Sequence, residues 1–211
     1  MSTKQLQNIW QNTFGVEYTK RKGQVHQTEG QLRQTFWKDF VKTIPEVSSI
    51  LEIGCNSGMN LEGLYAGNPT LNITGLEPND FAREEAMRIA QGRYQIIPGN
   101  VFELQTDQIS ADLIITCTVL IHIHPNDLQR AMQQIYQSAH QYILTMEYYW
   151  PTLKEIEYRG LSEALWKRDF GAYWLDHFDL EIVETGYLGP RDGFDRTTWW
   201  LFKKPNHPNE S

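Results

Sequence analysis

The 211-residue sequence is short of several things at once. It has two cysteines, Cys55 and Cys117. Two thiols cannot build a disulfide scaffold, so a reducing, cytoplasmic location is expected. No apolar run approaches the about 18 residues that a transmembrane helix needs. The opening MSTKQLQNIWQNTFG lacks the apolar centre of a signal peptide. Positive charge is also scarce: 19 Lys and Arg stand against 26 Asp and Glu, a net charge of −7. A non-specific nucleic-acid binder usually carries a basic face. Neither nucleic acid nor membrane is therefore expected as a partner. There is no repeat and no low-complexity tract. Nothing in the composition speaks to oligomeric state.

What is present is an ordinary globular composition, 40% hydrophobic and 21% charged. The length suits one domain with an elaboration. The 26 aromatic residues are uneven, with 14 of them between Tyr148 and Phe202. Charge is zoned as well, +3 over residues 1–48, −7 over 49–147 and −3 over 148–211. These shifts divide the chain into an N-terminal segment (1–48), a single domain (49–205) elaborated at about 148–178, and a polar tail (206–211) expected to fray.

The middle zone alternates two periodicities. Residues 49–53, 71–76, 94–98, 113–117 and 142–146 read as strands. Helical patterns fall at 59–65, 81–90 and 125–138, with Asn79 or Asp80 as a cap and Pro125 in a first turn. Strands separated by helices imply crossover units and a parallel sheet covered on both faces. Residues 180–187 and 197–202 are joined by a turn at 189–193 too short for a helix, so they are expected to run antiparallel. Residues 31–42 read as an amphipathic helix with Leu32, Phe36 and Phe40 on one face.

The segment from Ile50 to Asn60 is a strand, a glycine turn and a helix start. Gly54 and Gly58 let backbone approach a ligand, and the helix N-terminus offers free N–H groups. Glu77 ends the neighbouring strand, where an acid can accept from ribose hydroxyls. The dinucleotide pattern Gly-x-Gly-x-x-Gly is missing, with Asn56 standing between the glycines. The turn fits a ligand without pyrophosphate, whose amino-acid carboxylate meets it instead. S-adenosylmethionine is such a ligand. Glu52, an acid inside an apolar strand, needs a partner that a ligand ammonium or backbone N–H groups could supply.

LEIGCNSGMNLEGL, GLEPN, GNVFEL and ADLIITCTVLIHIHPNDL together resemble the class I S-adenosylmethionine-dependent methyltransferases. More narrowly, the chain looks like the pseudaminic acid biosynthesis-associated methylases. That likeness rests on Trp10, Phe14, Gly15 and Tyr18, on VLIHIHPNDL, on Glu147-Tyr148-Tyr149, and on Tyr158-Arg159-Gly160 with Lys167-Arg168-Asp169-Phe170. Asn56 departs from the class, which usually has glycine there. The resemblance implies a Rossmann-like α/β fold, a mostly parallel seven-stranded sheet with a terminal antiparallel hairpin and helices on both faces. It implies Glu52, Gly54, Asn56 and Gly58 at the methionine end of the cofactor, and Glu77 with Pro78 at the ribose. Asn100 and Val101 would flank the adenine, Asn100 near its exocyclic amine. Cys117 and Val119 would line the reactive end.

The acceptor, a small molecule, is expected outside the carboxyl ends of the strands. His122, Glu147 and Tyr148 lie there and are the catalytic candidates. His122 could take a proton from a hydroxyl acceptor, or only orient a carboxylate. His122 and His124 find no third metal ligand, so no metal is expected. Arg159, Lys167 and Arg168 could hold an anionic group, with Arg191 and Arg196 adding to it. Trp10 and Tyr18 belong to a stripe at four-residue spacing that could close over the site as a lid. With Tyr149, these are the substrate-binding candidates, and Trp150 and Tyr158 are further places to look. The expected function is methyl transfer to a hydroxyl or carboxylate of a sugar-like or acidic metabolite. A nicotinamide dehydrogenase and a non-catalytic cofactor-binding module are the alternatives.

Overall fold

The computed structural model describes residues 2–106 and 108–205, and only the backbone of residues 24–27. The tail at 206–211 lies outside the described residues. In chain order the elements are α1 (Thr3–Gln11), α2 (Thr13–Thr43), β1 (Ser49–Ile53), α3 (Met59–Gly67), β2 (Asn72–Glu77), α4 (Asp80–Ala90), β3 (Gln95–Pro98), β4 (Ala111–Cys117), α5 (Pro125–Ser138), β5 (Ala139–Glu147), β6 (Lys154–Glu155), β7 (Trp166–Lys167), α6 (Phe170–His177), β8 (Glu181–Leu188) and β9 (Thr197–Lys203). Seven strands form one sheet in the order β3-β2-β1-β4-β5-β9-β8. The first five are parallel, and β9 runs antiparallel to both β5 and β8. The Rossmann-like expectation and the antiparallel terminal pair both hold.

The sheet is covered on both faces because its central strands are apolar on both. Ile50 belongs to the apolar layer shared with Trp37, Phe40, Leu61 and Leu64. Leu51 and Ile53 face the opposite layer, with Leu128, Ile135 and Trp174. Trp199 and Trp200 divide the same way between the two layers, as strand alternation requires. Glu52 therefore points to the Ile50 side, beneath α2 and α3. Asn79 caps α4 by accepting from Ala82 N at 3.0 Å, and Pro125 opens α5.

The N-terminal segment departs most from expectation. The helix foreseen at 31–42 is the last third of the 31-residue α2. Its buried face carries Arg33, Trp37, Phe40 and Val41, whereas Leu32 is 40% exposed and Phe36 is partly covered. Trp37 lies so close to Gly63 of α3 that a Cβ there would come within 2.4 Å of its ring. The two helices pack almost backbone to side chain. Among the described residues no helix is long and apolar enough to cross a membrane.

Candidate active site

The turn after β1 is built by two left-handed residues. Gly54 has φ of 70°, and a Cβ on it would lie 2.7 Å from Val119 Cγ2. Its N–H donates to Leu76 O at 2.7 Å, stitching β1 to the end of β2. Asn56 stands at φ 48°. Asparagine tolerates that region better than other non-glycine residues, which explains how it replaces the usual glycine. Its N–H donates to Glu77 Oε2 at 2.8 Å and its Nδ2 donates to Thr19 Oγ1 at 2.9 Å. Glu77 Oε1 accepts from Asn79 N at 2.8 Å. Burial raises the Glu77 carboxyl to about 7, against the pull of these two N–H groups.

Glu52 ends a buried polar chain that begins on α2. Arg33 donates through Nη1 to Asn60 Oδ1 at 2.9 Å and through Nε to Gly193 O at 2.7 Å. Trp37 Nε1 also donates to Asn60 Oδ1, at 3.3 Å. Asn60 Nδ2 donates to Glu52 Oε1 at 2.6 Å. Glu52 Oε2 is buried without a partner. Burial pushes this carboxyl up to about 8, opposed by the Asn60 bond and the Arg33 charge.

These groups border one cavity. Of the expected cofactor residues, Glu52, Gly54, Asn56, Glu77, Pro78, Asn100, Val101, Cys117 and Val119 line it. Gly58 does not; at φ 82° it stands at the start of α3. The roof is α1, which contributes Gln7 and Trp10. Gln7 Nε2 donates to Asn100 Oδ1 at 3.3 Å, and Asn79 Nδ2 donates to Trp10 O at 3.0 Å. Asn100 Oδ1 also accepts from Phe102 N at 2.9 Å, which fixes the amide's orientation. Its Nδ2 is left buried and unpartnered.

A second cavity shares Tyr18, Lys22, Thr118, His122 and Asp195 with the first, and adds Tyr148, Tyr158, Arg159 and Arg196. Thr118 stands at the junction with φ of 56°, a strained conformation for a β-branched residue. His122 lies between Trp10 and Tyr158, ring centroids 4.5 and 5.1 Å away. Its Nδ1 lies 2.8 Å from Ala164 O. A carbonyl oxygen only accepts, so Nδ1 carries the hydrogen and Nε2 keeps its lone pair. Burial lowers this imidazole to about 4, so it is neutral at physiological pH. Cys55 and Cys117 are free thiols whose ionisation burial disfavours, Cys117 being pushed up to about 12.

Other expected residues lie elsewhere. Glu147 is fully buried, and its carboxylate accepts from Val119 N at 3.1 Å, Leu120 N at 3.0 Å and Ile121 N at 3.3 Å. It holds the loop that carries Thr118 and His122 and lines neither cavity. Tyr149 and Trp150 are 45% and 42% exposed and border neither cavity. Lys167 sits with Nζ 5.2 Å from the Tyr148 ring, outside the cavity that Tyr148 lines. Arg168 stacks on Tyr173 at 3.8 Å. Conversely, Lys22, Arg33, Asn60 and Asp195 belong to the site without having been expected. Only the polar Arg33 inside the apolar face of a helix, and Asn60 close behind the glycine turn, signalled this in the sequence.

Residues 51–141 match the family model of a methyltransferase domain. No curated protein sequence matches the chain. Solved structures share the fold. The Burkholderia thailandensis 1,6-didemethyltoxoflavin-N1-methyltransferase, with bound 1,6-didemethyltoxoflavin and S-adenosylhomocysteine, is similar at a TM-score of 0.74 and 12% identity, over 98% of this chain and 92% of that one. The magnesium protoporphyrin IX methyltransferase of Synechocystis PCC 6803, with bound S-adenosylhomocysteine, reaches 0.72 at 12% identity, over 96% and 99%. The mitomycin 7-O-methyltransferase reaches 0.69 at 18% identity, over 97% and 61%. The matched domain and the fold are similar to those of class I methyltransferases. The protein is an enzyme of the S-adenosylmethionine-dependent methyltransferase kind.

Proposed function

We propose that the protein transfers a methyl group from S-adenosylmethionine to a hydroxyl of a small, sugar-like or acidic molecule held in the second cavity. The observation that carries this reading is the pair of unpartnered buried atoms in the first cavity, Glu52 Oε2 and Asn100 Nδ2. The first, once ionised, is an acceptor and the second is a donor, and both suit this cofactor. Glu52 Oε2 would accept from its ammonium. Asn100 Nδ2, being a donor, would pair with a ring nitrogen of adenine rather than with the exocyclic amine. Glu77 keeps lone pairs for the ribose hydroxyls. Bound there, the sulfonium supplies an electrophilic methyl group.

The chain's own residues then select the acceptor. His122 Nε2 offers a lone pair, which takes a hydrogen bond from a hydroxyl. A carboxylate has no hydrogen to give it, so His122 favours the hydroxyl. As the methyl C–S bond of the sulfonium gave way to a C–O bond, leaving the neutral thioether, the acceptor oxygen would become strongly acidic and His122 Nε2 would take its proton. Trp10 and Tyr158 pack against His122, and α1 covers the neighbouring cavity. Together they limit water at the reacting centre.

The test is transfer of label from methyl-labelled S-adenosylmethionine to a pool of small hydroxylated metabolites. His122→Ala is expected to lower turnover by about 10²–10⁴-fold, the usual contribution of a positioned proton acceptor. Its affinity for S-adenosylhomocysteine should stay unchanged. Cofactor binding without transfer to any acceptor would return the protein to the binding-module reading.

A further inference from the structure

The second cavity carries more positive charge than a neutral acceptor requires. It is lined by Lys22, Arg159 and Arg196 in a chain whose net charge is −7. Lys22 is spent within the protein, 2.9 Å from Asp195 and 3.4 Å from Glu29. Arg159 and Arg196 have no carboxylate partner among the described residues. Arg159 comes from the loop between β6 and β7, and Arg196 from the turn that leads into β9. Both stand in the left-handed region, at φ 55° and 56°, where a non-glycine side chain is uncommon. Two separate loops thus adopt unfavourable backbone and bring an arginine to the same cavity, Arg159 with its guanidinium 5.5 Å from the ring of Tyr158, which lines that cavity too. The other basic candidates do not share it. Lys167 lies over Tyr148, Arg168 over Tyr173, and Arg191 in the short turn Pro190–Asp192, none of them lining the cavity.

We infer that Arg159 and Arg196 form an anion subsite, and that the acceptor is a small hydroxylated molecule bearing a carboxylate or phosphate apart from the methylated oxygen. The inference rests on the proposed transfer to a hydroxyl and adds the second half of substrate recognition. Guanidinium groups match the planar edge of either anion with paired donors. Tyr18, Tyr148 and Tyr158 line the same cavity as this pair and His122, with hydroxyls and ring faces suited to a polyol body. The anion is then a handle, and the reacting hydroxyl is the group presented to His122 Nε2.

The test compares three matched probes, glucose 6-phosphate, glucuronate and glucose. Their binding to the full chain is read by ligand-detected NMR titration, with and without saturating S-adenosylhomocysteine. At least one anionic probe is expected to bind about tenfold or more tighter than glucose, the gain of a charge-assisted contact. The tighter of the two charged probes tells phosphate from carboxylate. The double substitution Arg159→Gln with Arg196→Gln should reduce that preference below about threefold. Melting temperature and S-adenosylhomocysteine affinity should not change, since both side chains are exposed. Arg168→Gln should keep the preference. Equal binding of charged and neutral probes, no binding of either anionic probe, or a preference that survives the double substitution overturns the inference. Absence of S-adenosylhomocysteine binding would count against the cofactor reading alone, because the ligand-free titration still reports on the anion subsite.

Discussion

Glu147 looks catalytic by its place at the end of β5, yet its carboxylate is turned into the protein. Replacing it with alanine would leave the N–H groups of Val119, Leu120 and Ile121 without their acceptor, at a residue with no solvent exposure. Each buried donor left unsatisfied costs about 1–3 kcal/mol. Water entering the vacated space recovers part of that, so about 3–5 kcal/mol is expected for Glu147→Ala. A domain of this size has about 5–15 kcal/mol in hand. Urea unfolding should therefore show a midpoint lowered by about a fifth or more, with the slope unchanged. Glu147→Gln keeps an oxygen for the Val119 and Leu120 bonds and loses the Ile121 bond, costing about 1–2 kcal/mol. Turnover should fall in both variants as the Thr118–His122 loop slackens, while the pH profile keeps its shape. A Glu147→Ala protein within about 1 kcal/mol of the parent would refute this account. So would loss of a limb of the pH profile near 7, which would make Glu147 a proton carrier.

Two further outcomes follow from the same geometry. Gly54→Ala places a Cβ 2.7 Å from Val119 Cγ2 at a φ of 70°; it should weaken S-adenosylhomocysteine binding about tenfold or more by distorting the turn, at about 1–3 kcal/mol, and titration calorimetry with unchanged affinity would contradict it. The pH dependence of stability is set by Glu52, Glu77 and Glu147, all raised above the ordinary 4.5 by burial, to about 8, 7 and 7. Above pH 4.5 the unfolded chain releases protons that the folded chain keeps, so their contribution declines as pH rises through 7–8. His122 acts in the opposite sense: its contribution is present above 6.5 and lost as pH falls through about 4. The ligand-free protein should be less stable at pH 8 than at pH 6.5, and stabilisation by S-adenosylmethionine should grow over that interval, because its ammonium favours the ionised Glu52. Denaturant unfolding at the two pH values checks both.

The sheet could be read from the sequence because its central strands β1, β4 and β5 are apolar runs of five to nine residues, with cap and turn residues between the elements. Asn79, Pro125 and the short link between β8 and β9 each carry a local signal. The first cavity was legible for the same reason, since its residues close β1, β2 and β4 and strand ends are fixed by topology. The length of α2 was not legible. Gly15, Gly23 and Gly30 interrupt its first 18 residues, and each lowers helix propensity by about 1 kcal/mol. Packing on α3 and over the site holds the helix instead. Arg33 meets Gly193 across 160 residues of sequence, a contact that no local pattern encodes. The aromatic surplus after residue 148 was only partly a pocket. Trp174, Phe170 and Phe202 are core, and only Tyr148 and Tyr158 of that stretch reach the second cavity.

Titration calorimetry of the purified chain with S-adenosylhomocysteine tests the central claim most directly. One molecule should bind per chain, and Glu77→Ala should weaken binding about tenfold or more through loss of the acceptor for the ribose and of the bonds to Asn56 and Asn79. Absence of binding to the parent protein, or equal affinity in the variant, would contradict the account.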